Sequence, residues 1–237
     1  GKDTIAVTAA QGALIAGQFE NDSLYVATTA SATTLLGGLG NDTISVVSTL
    51  TNASVEGGFG EDLINLSGPV LGSTVWGGVG TETSSTLDGA DSIVMASTVS
   101  NSTVNGLYGN DSILLSAGFT SAQVRGGQGN DNLYVSGGDQ TGGLISGDLG
   151  SDSLRLAGNV IGGTVAGANP TDAENTADGD DSITVGGSLS AALVVGGYGN
   201  DLLNLSAVVG ASTVTGGTGN DSLVVTSSLG GSIDLGE

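Results

Sequence analysis

The chain has 237 residues, a net charge of −21, 44 glycines, 2 prolines and neither cysteine nor histidine. Three basic residues against 24 acidic ones argue against binding nucleic-acid phosphates or an anionic membrane surface, and the missing Cys and His exclude soft-ligand zinc or copper sites, disulfides and thiol chemistry. No run of eighteen apolar residues occurs, so no membrane span is expected, and no signal peptide is visible.

The chain opens at Gly1-Lys2-Asp3 and passes into the alternation Ile5, Val7. A glycine turn, Asn-Asp and another alternating stretch follow in GQFENDSLYV at 17–26, GGLGNDTISV at 37–46 and GGFGEDLINL at 57–66. Further copies are GLYGNDSILL at 106–115, GGQGNDNLYV at 126–135, GDLGSDSLRL at 147–156, GGYGNDLLNL at 196–205 and GGTGNDSLVV at 216–225. The aspartates that end the turns are Asp3, Asp22, Asp42, Asp62, Asp91, Asp111, Asp131, Asp152, Asp181, Asp201 and Asp221. They lie 19, 20, 20, 29, 20, 20, 21, 29, 20 and 20 residues apart. The chain is therefore eleven coils of about twenty residues, and two steps carry about nine extra. Such a period marks a solenoid in which each coil touches only its neighbours.

Side chains two and four past each aspartate are apolar, as in Leu24/Val26, Ile44/Val46, Ile64/Leu66 and Leu203/Leu205, so they share one face of a strand. A second apolar position lies eight past the aspartate, at Leu50, Val70, Val99, Phe119, Val160, Leu189, Val209 and Leu229, and fails at Gln11, Ala30 and Asp139. A third lies about thirteen past, as at Leu35, Val55, Val104 and Val214. Two short strands per coil are expected. One coil cannot close a core, but stacked coils pile identical positions into ladders. The predicted fold is all-β: a parallel β-solenoid flattened into two sheets, about 50 Å long at roughly 4.8 Å per coil. Glycine and β-branched residues argue against helices.

The two long steps, GGVGTETSSTLDGADSIVM at 77–95 and AGANPTDAENTADGDDSITV at 166–185, both end T-x-D-G-x-D-S-I, from Thr86 to Ile93 and from Thr176 to Ile183. Together with matching coils between them, they define a higher-order repeat of about 90 residues. One domain over 1–237 is expected, with super-repeats near 1–90, 91–180 and an incomplete 181–237. Gly1 to Ile5 reads as the tail of the same loop, so the native array is expected to extend in both directions.

The chemistry lies in the turn. Gly37 to Ser45 fits every position of the pattern G-G-x-G-x-D-x-U-x, where U is a bulky apolar residue. So do the copies starting at Gly57, Gly126, Gly196 and Gly216, while those at Gly106 and Gly147 miss only the second Gly. Glycines let carbonyls point inward, aspartate supplies charge, and Ca2+ takes six to eight oxygens at about 2.3–2.6 Å. The alternative is an Asn/Asp turn ladder satisfied by its own hydrogen bonds, although carboxylates stacked about 5 Å apart repel unless neutralised.

Over nearly its whole length the chain resembles the RTX (haemolysin-type calcium-binding repeat) family of β-rolls. The resemblance implies ligation by turn aspartates and glycine-loop backbone. The implied positions are Asp22; Gly37, Gly40, Asn41 and Asp42; Gly57, Gly60 and Asp62; and Asp91. They continue with Gly106, Gly109, Asn110 and Asp111; Gly126, Gly129, Asn130 and Asp131; and Gly147, Gly150 and Asp152. The last are Asp181; Gly196, Gly199, Asn200 and Asp201; and Gly216, Gly219, Asn220 and Asp221. In the inserts Asp88 and Asp178 are further candidates, with a solvated acidic loop as the alternative. RTX rolls carry the motif in both halves of a coil, whereas here the second half, such as VSTLTNASV at 47–55, lacks it. One column of calcium on one edge is therefore expected, with up to about ten ions in the gaps between coils.

The turn residue x is often apolar: Phe19, Leu39, Phe59, Val79, Tyr108, Leu149 and Tyr198. An exposed stripe would mark a lateral partner; the expectation is that these side chains tuck inside or against the turn above.

The function expected is structural: a calcium-stiffened segment of a secreted or cell-surface protein such as an S-layer protein, adhesin or filament, folding as it binds Ca2+. Its partners would be neighbouring repeats and copies of itself. The resemblance implies type I secretion. An enzyme is not expected, since the only cations are Lys2, Arg125 and Arg155 and acid–base work needs a tuned group in a cleft; an accessory roll beside a polysaccharide-acting enzyme is one alternative. Another is a calcium-dependent ice- or surface-binding adhesin module, which calls for a regular threonine ladder. Position x holds Thr only at Thr218, and the row Thr74, Thr103, Thr164, Thr213 is broken by Gln123, Leu144 and Leu193.

Overall fold

The computed structural model describes residues 1–80, 87–169 and 178–236. Thr86 and Thr176, which open the motif shared by the inserts, lie outside the described residues.

The chain winds as a parallel β-solenoid of about eleven coils. In the coil after Asp42 the strands are Thr43–Val46, Leu50–Thr51 and Ser54–Phe59. In the next they are Leu63–Leu66, Val70–Leu71 and Thr74–Trp76. Each strand pairs in parallel with its counterpart one coil on, so Ile44 meets Ile64 and Val55 meets Val75. Register passes unbroken across both inserts: Ile64 pairs with Ile93 and Leu154 with Ile183. The ladders therefore keep step across both inserts.

Three strands per coil stand where two were expected. The first two share one sheet of 19 strands and the third builds a sheet of 11, counted among the described residues. A three-residue corner, 47–49 in the coil after Asp42, separates the first two. In two later coils they run on continuously, as Ser182–Ser190 and Leu202–Val209. The two-sheet expectation thus holds, with one sheet bent.

The core is the predicted set of ladders. Leu24, Ile44, Ile64, Ile93, Ile113 and Leu133 are fully buried one above another, as are Leu35, Val55, Val75, Val104 and Val124. Removing one of these large side chains leaves a cavity and costs about 2–5 kcal/mol. The ladder eight past the aspartate is corrected in three places. The coil of 19 residues buries Ala10, not Gln11, and the step of 21 buries Gln140 and leaves Asp139 exposed. Near the far end Val208, not Val209, pairs with Leu189. Ala30 does occupy the ladder, fully buried despite its size. Leu229 bridges to Val208 but is 64 % exposed. Gln140 donates from Nε2 to the Thr164 carbonyl at 3.0 Å, while its Oε1 is buried without a partner.

At the edge opposite the glycine turns, one residue per coil takes a left-handed conformation: Ala32 (φ 48°), Asn52 (47°), Asn101 (49°), Ser121 (50°) and Ala191 (49°), with glycine in most other coils. Among the described residues no helix is long and apolar enough to cross a membrane.

Candidate metal centre

Each glycine turn sits where the third strand ends and the chain folds back toward the first. The aspartate closing it carries its side chain inward, and Asp22, Asp42, Asp62, Asp91, Asp111, Asp131, Asp152, Asp181 and Asp201 are all buried. They form a continuous ladder. The backbone N–H of Asp42 donates to Oδ1 of Asp62 at 2.7 Å, that of Asp62 to Asp91 at 2.7 Å, and that of Asp91 to Asp111 at 2.8 Å. The same bond recurs from Asp3–Asp22 to Asp201–Asp221. Every Oδ1 thus caps the preceding coil.

Every Oδ2 is left over. In Asp22, Asp42, Asp62, Asp91, Asp111, Asp131, Asp152, Asp181, Asp201 and Asp221 it is buried with no hydrogen-bond partner. It lies against the first glycine of its own turn. A Cβ on Gly37 would meet Asp42 Oδ2 at 2.5 Å and collide with the Gly57 carbonyl oxygen of the next coil; one on Gly57 would meet Asp62 Oδ2 at 2.5 Å and the Gly77 carbonyl. The first glycine is therefore required by close approach, and the space beside it is lined by a carboxylate and backbone oxygen.

Burial drives the electrostatics. It pushes Asp91 and Asp181 up to about 9, Asp111 and Asp152 to about 8, and Asp62, Asp131 and Asp201 to about 7; nearby carboxylates add to the rise and the N–H bond opposes it. Asp42 is raised for the same reason. Burial thus disfavours the ionised ladder, and nothing around it balances the charge it would carry.

The asparagines do something else. Asn41 Oδ1 accepts from the Glu61 N–H at 3.2 Å, Asn110 Oδ1 from Asn130 at 2.7 Å, Asn130 Oδ1 from Ser151 at 2.8 Å and Asn200 Oδ1 from Asn220 at 3.0 Å. Asn41, Asn110, Asn130, Asn200 and Asn220 are all exposed. Their side chains therefore form an outer ladder rather than joining the buried column. The fourth glycines Gly40, Gly60, Gly109, Gly129, Gly150, Gly199 and Gly219 have φ between 118° and 139° and pack on the turn before, which no L side chain does readily.

The insert residues reach the column. Asp88 lies against Gly78, and Asp178 accepts from the Tyr198 N–H at 3.2 Å while its Oδ1 is buried without a partner. Burial raises both to about 6. Three glycines absent from the motif-based set, Gly17, Gly77 and Gly167, hold the same place against Asp22, Asp91 and Asp181. Their signal was spacing alone: Gly77 follows Gly57 by 20 residues.

Among the described residues no three acidic side chains converge on one point. The aspartates come one per coil, so a cation between coils would draw its other oxygens from backbone. Buried orphan oxygens, a cradle that a Cβ would fill and an all-oxygen donor set suit a hard divalent cation.

No protein-family model and no curated protein matches the chain. Among solved structures it is similar to a hyperactive, Ca2+-dependent, β-helical antifreeze protein from an Antarctic bacterium, at 25 % identity and a TM-score of 0.80, over 98 % of this chain and 75 % of that one.

Proposed function

We propose that this chain is a calcium-binding structural segment of RTX type within a secreted or cell-surface protein, such as an S-layer protein, adhesin or filament. The observation that supports it is the column of buried, unpartnered aspartate Oδ2 atoms. When bound, Ca2+ would supply positive charge and take oxygen ligands from adjacent coils. The turn aspartates hold the column through Oδ1, the first glycines keep its space open, and the asparagine ladder closes its rim. Up to about ten ions, one per gap, would bring about +20 against the chain's −21. Its partners are neighbouring repeats and further copies in an array. A non-enzymatic role agrees with the engagement of two of the three basic residues: Arg125 pairs with Asp148 at 2.9 Å, and Arg155 stacks over Tyr134 at 5.2 Å.

The test is far-UV circular dichroism of a chelator-stripped sample titrated with calcium, with magnesium as control. A coil-to-β transition driven by calcium alone is expected. A β spectrum indifferent to chelator would sink the proposal.

The similarity to an antifreeze protein favours a second reading, a calcium-dependent ice- or surface-binding module. The turn row weighs against it, because Phe19, Leu39, Phe59, Val79, Tyr108 and Gln128 differ in size and exposure. Thermal hysteresis above that of an unrelated protein at equal concentration would favour this second reading.

A further inference from the structure

The outer face of the 11-stranded sheet carries two adjacent rows. One runs Leu36, Glu56, Trp76, Asn105, Arg125, Ser146, and the other Gly38, Gly58, then Leu107, Gly127, Asp148. In the second super-repeat these rows are filled by the chain itself. Arg125 reaches across to Asp148 with Nη1 at 2.9 and 3.0 Å from the two carboxylate oxygens, and Ser146 donates to Asp148 at 2.7 Å. Asp148 and Ser146 are buried there.

In the first super-repeat the equivalent place is open. Gly38 and Gly58 floor a groove walled by Leu36 and Glu56 on one side and by Phe19, Leu39, Phe59 and Val79 on the other. Phe19 is 62 % exposed and Leu39 39 %, against the expectation that the turn residues tuck in. Gly38 and Gly58 offer no side chain beside Leu39 and Phe59, while Phe19 stands beside Gln18 at the end of that row. Glu56 is half-buried, and its carboxylate has no hydrogen bond or ion pair among the described residues. Glu20 and Glu61, exposed on the same turn edge, follow Phe19 and Phe59 by one and two residues. Of these three glutamates Glu56 alone lines the groove; Glu20 lies 3.9 Å from the N-terminal ammonium and Glu61 accepts from Asn41.

We infer that the groove is a docking site for a basic, apolar peptide segment, whose arginine or lysine pairs with Glu56 and whose apolar side chains seat on Phe19, Leu39 and Phe59. The cation that Arg125 supplies to Asp148 in one super-repeat comes from a partner in the other. A second copy of the chain is a poor occupant, because it brings a net charge of −21 and only three basic residues. The site uses carboxylates outside the aspartate column, so it stands apart from the calcium proposal.

Trp76 is the only tryptophan and the register neighbour of Glu56, so it reports on the groove directly. The probe is the peptide acetyl-Gly-Leu-Arg-Leu-Arg-Leu-Gly-amide, titrated into the full chain in calcium buffer, with the fold checked separately by circular dichroism. A saturable change in Trp76 emission is expected. It weakens about tenfold when citrulline replaces the arginines or when Glu56→Gln removes the carboxylate, and likewise in Phe19→Ser, a change at an exposed ring. No saturable change with folded chain overturns the inference, as does affinity indifferent to both charge changes. Sedimentation of the free chain as a dimer that Phe19→Ser dissociates would overturn it in favour of self-association.

Discussion

The two edges of the solenoid meet the same difficulty and resolve it differently. At each corner a backbone N–H faces the neighbouring coil and needs an acceptor. On the edge without the glycine motif, serine hydroxyls provide it at three corners. Ser73 Oγ accepts from the Ala53 N–H at 3.2 Å and donates to the Leu71 carbonyl at 2.9 Å. Ser102 accepts from Ser73 at 3.1 Å and donates to Ser100 at 2.8 Å. Ser212 accepts from Ala192 and donates to Val209. Nothing is left over. On the other edge a carboxylate does the same work with Oδ1 and leaves Oδ2 buried and unpartnered. A serine would have closed the corner, so closure does not explain the aspartates. What they add is one spare anionic oxygen per coil, in a column that a cation can occupy.

Exchanging the two chemistries breaks the comparison most severely. Ser102→Asp places a carboxylate in a corner with no glycine cradle, and an uncompensated buried charge costs about 3–5 kcal/mol. Thermal denaturation in saturating calcium should show that loss undiminished, whereas added calcium would restore stability if both edges could hold ions.

Acid should act on one edge alone. The aspartate pKa values are raised in the metal-free fold, so the folded state holds more protons than the unfolded chain. Stability from this source is complete below the unfolded value near 3.8 and is lost as pH rises through about 7 to 9. Calcium-free samples followed by circular dichroism should gain β structure from pH 9 down to pH 4. A flat profile would remove the electrostatic half of the comparison.

Asp111→Asn sharpens it further. The amide Oδ1 still accepts from Asp91, but the spare oxygen and the charge are gone. In chelator the variant should gain β structure at a higher pH than the parent chain, and melts in calcium should show a loss of about 1 kcal/mol, with fewer ions bound by calorimetry. The smallest effect belongs to the plain edge. Ala191 holds φ at 49°, and Ala191→Gly should relieve about 1–2 kcal/mol of left-handed strain against about 0.5–1 kcal/mol of glycine backbone entropy, visible as a slight rise in Tm that ignores calcium.

Much of this was legible in the sequence because a repeat states its own register. Once the aspartates were aligned, the ladders through Ile44 and Ile64 and through Val55 and Val75 followed without further assumption. What failed depended on one-residue differences. The 19- and 21-residue steps move Ala10 and Gln140 into the core, and spacing alone does not tell where a coil absorbs the change. The motif ties the first glycine to an aspartate five residues on, whereas the inserts separate Gly77 from Asp91 and Gly167 from Asp181, and Glu20 interrupts the turn that begins at Gly17, so the motif alone does not mark these three. Asn and Asp stand side by side in the turn, yet alternation along an extended chain sends one outward and the other inward. The groove beside Glu56 is not legible in the sequence, because it requires knowing that Leu39 and Phe59 stand beside bare Gly38 and Gly58 on the outer face.

The two side-chain ladders of the turn run in opposite senses. Asparagine Oδ1 caps the N–H of the coil that follows, as Asn200 does for Asn220, and aspartate Oδ1 caps the N–H of the coil before, as Asp221 does for Asp201. A coil arriving at the C-terminal end of the stack therefore finds an acceptor already waiting. On seating, it delivers the acceptor its predecessor lacked. Adjacent residues thus act as template and latch, and the rod can be wound like a ratchet in the order in which a chain emerges, each turn set by the last and locked by the next.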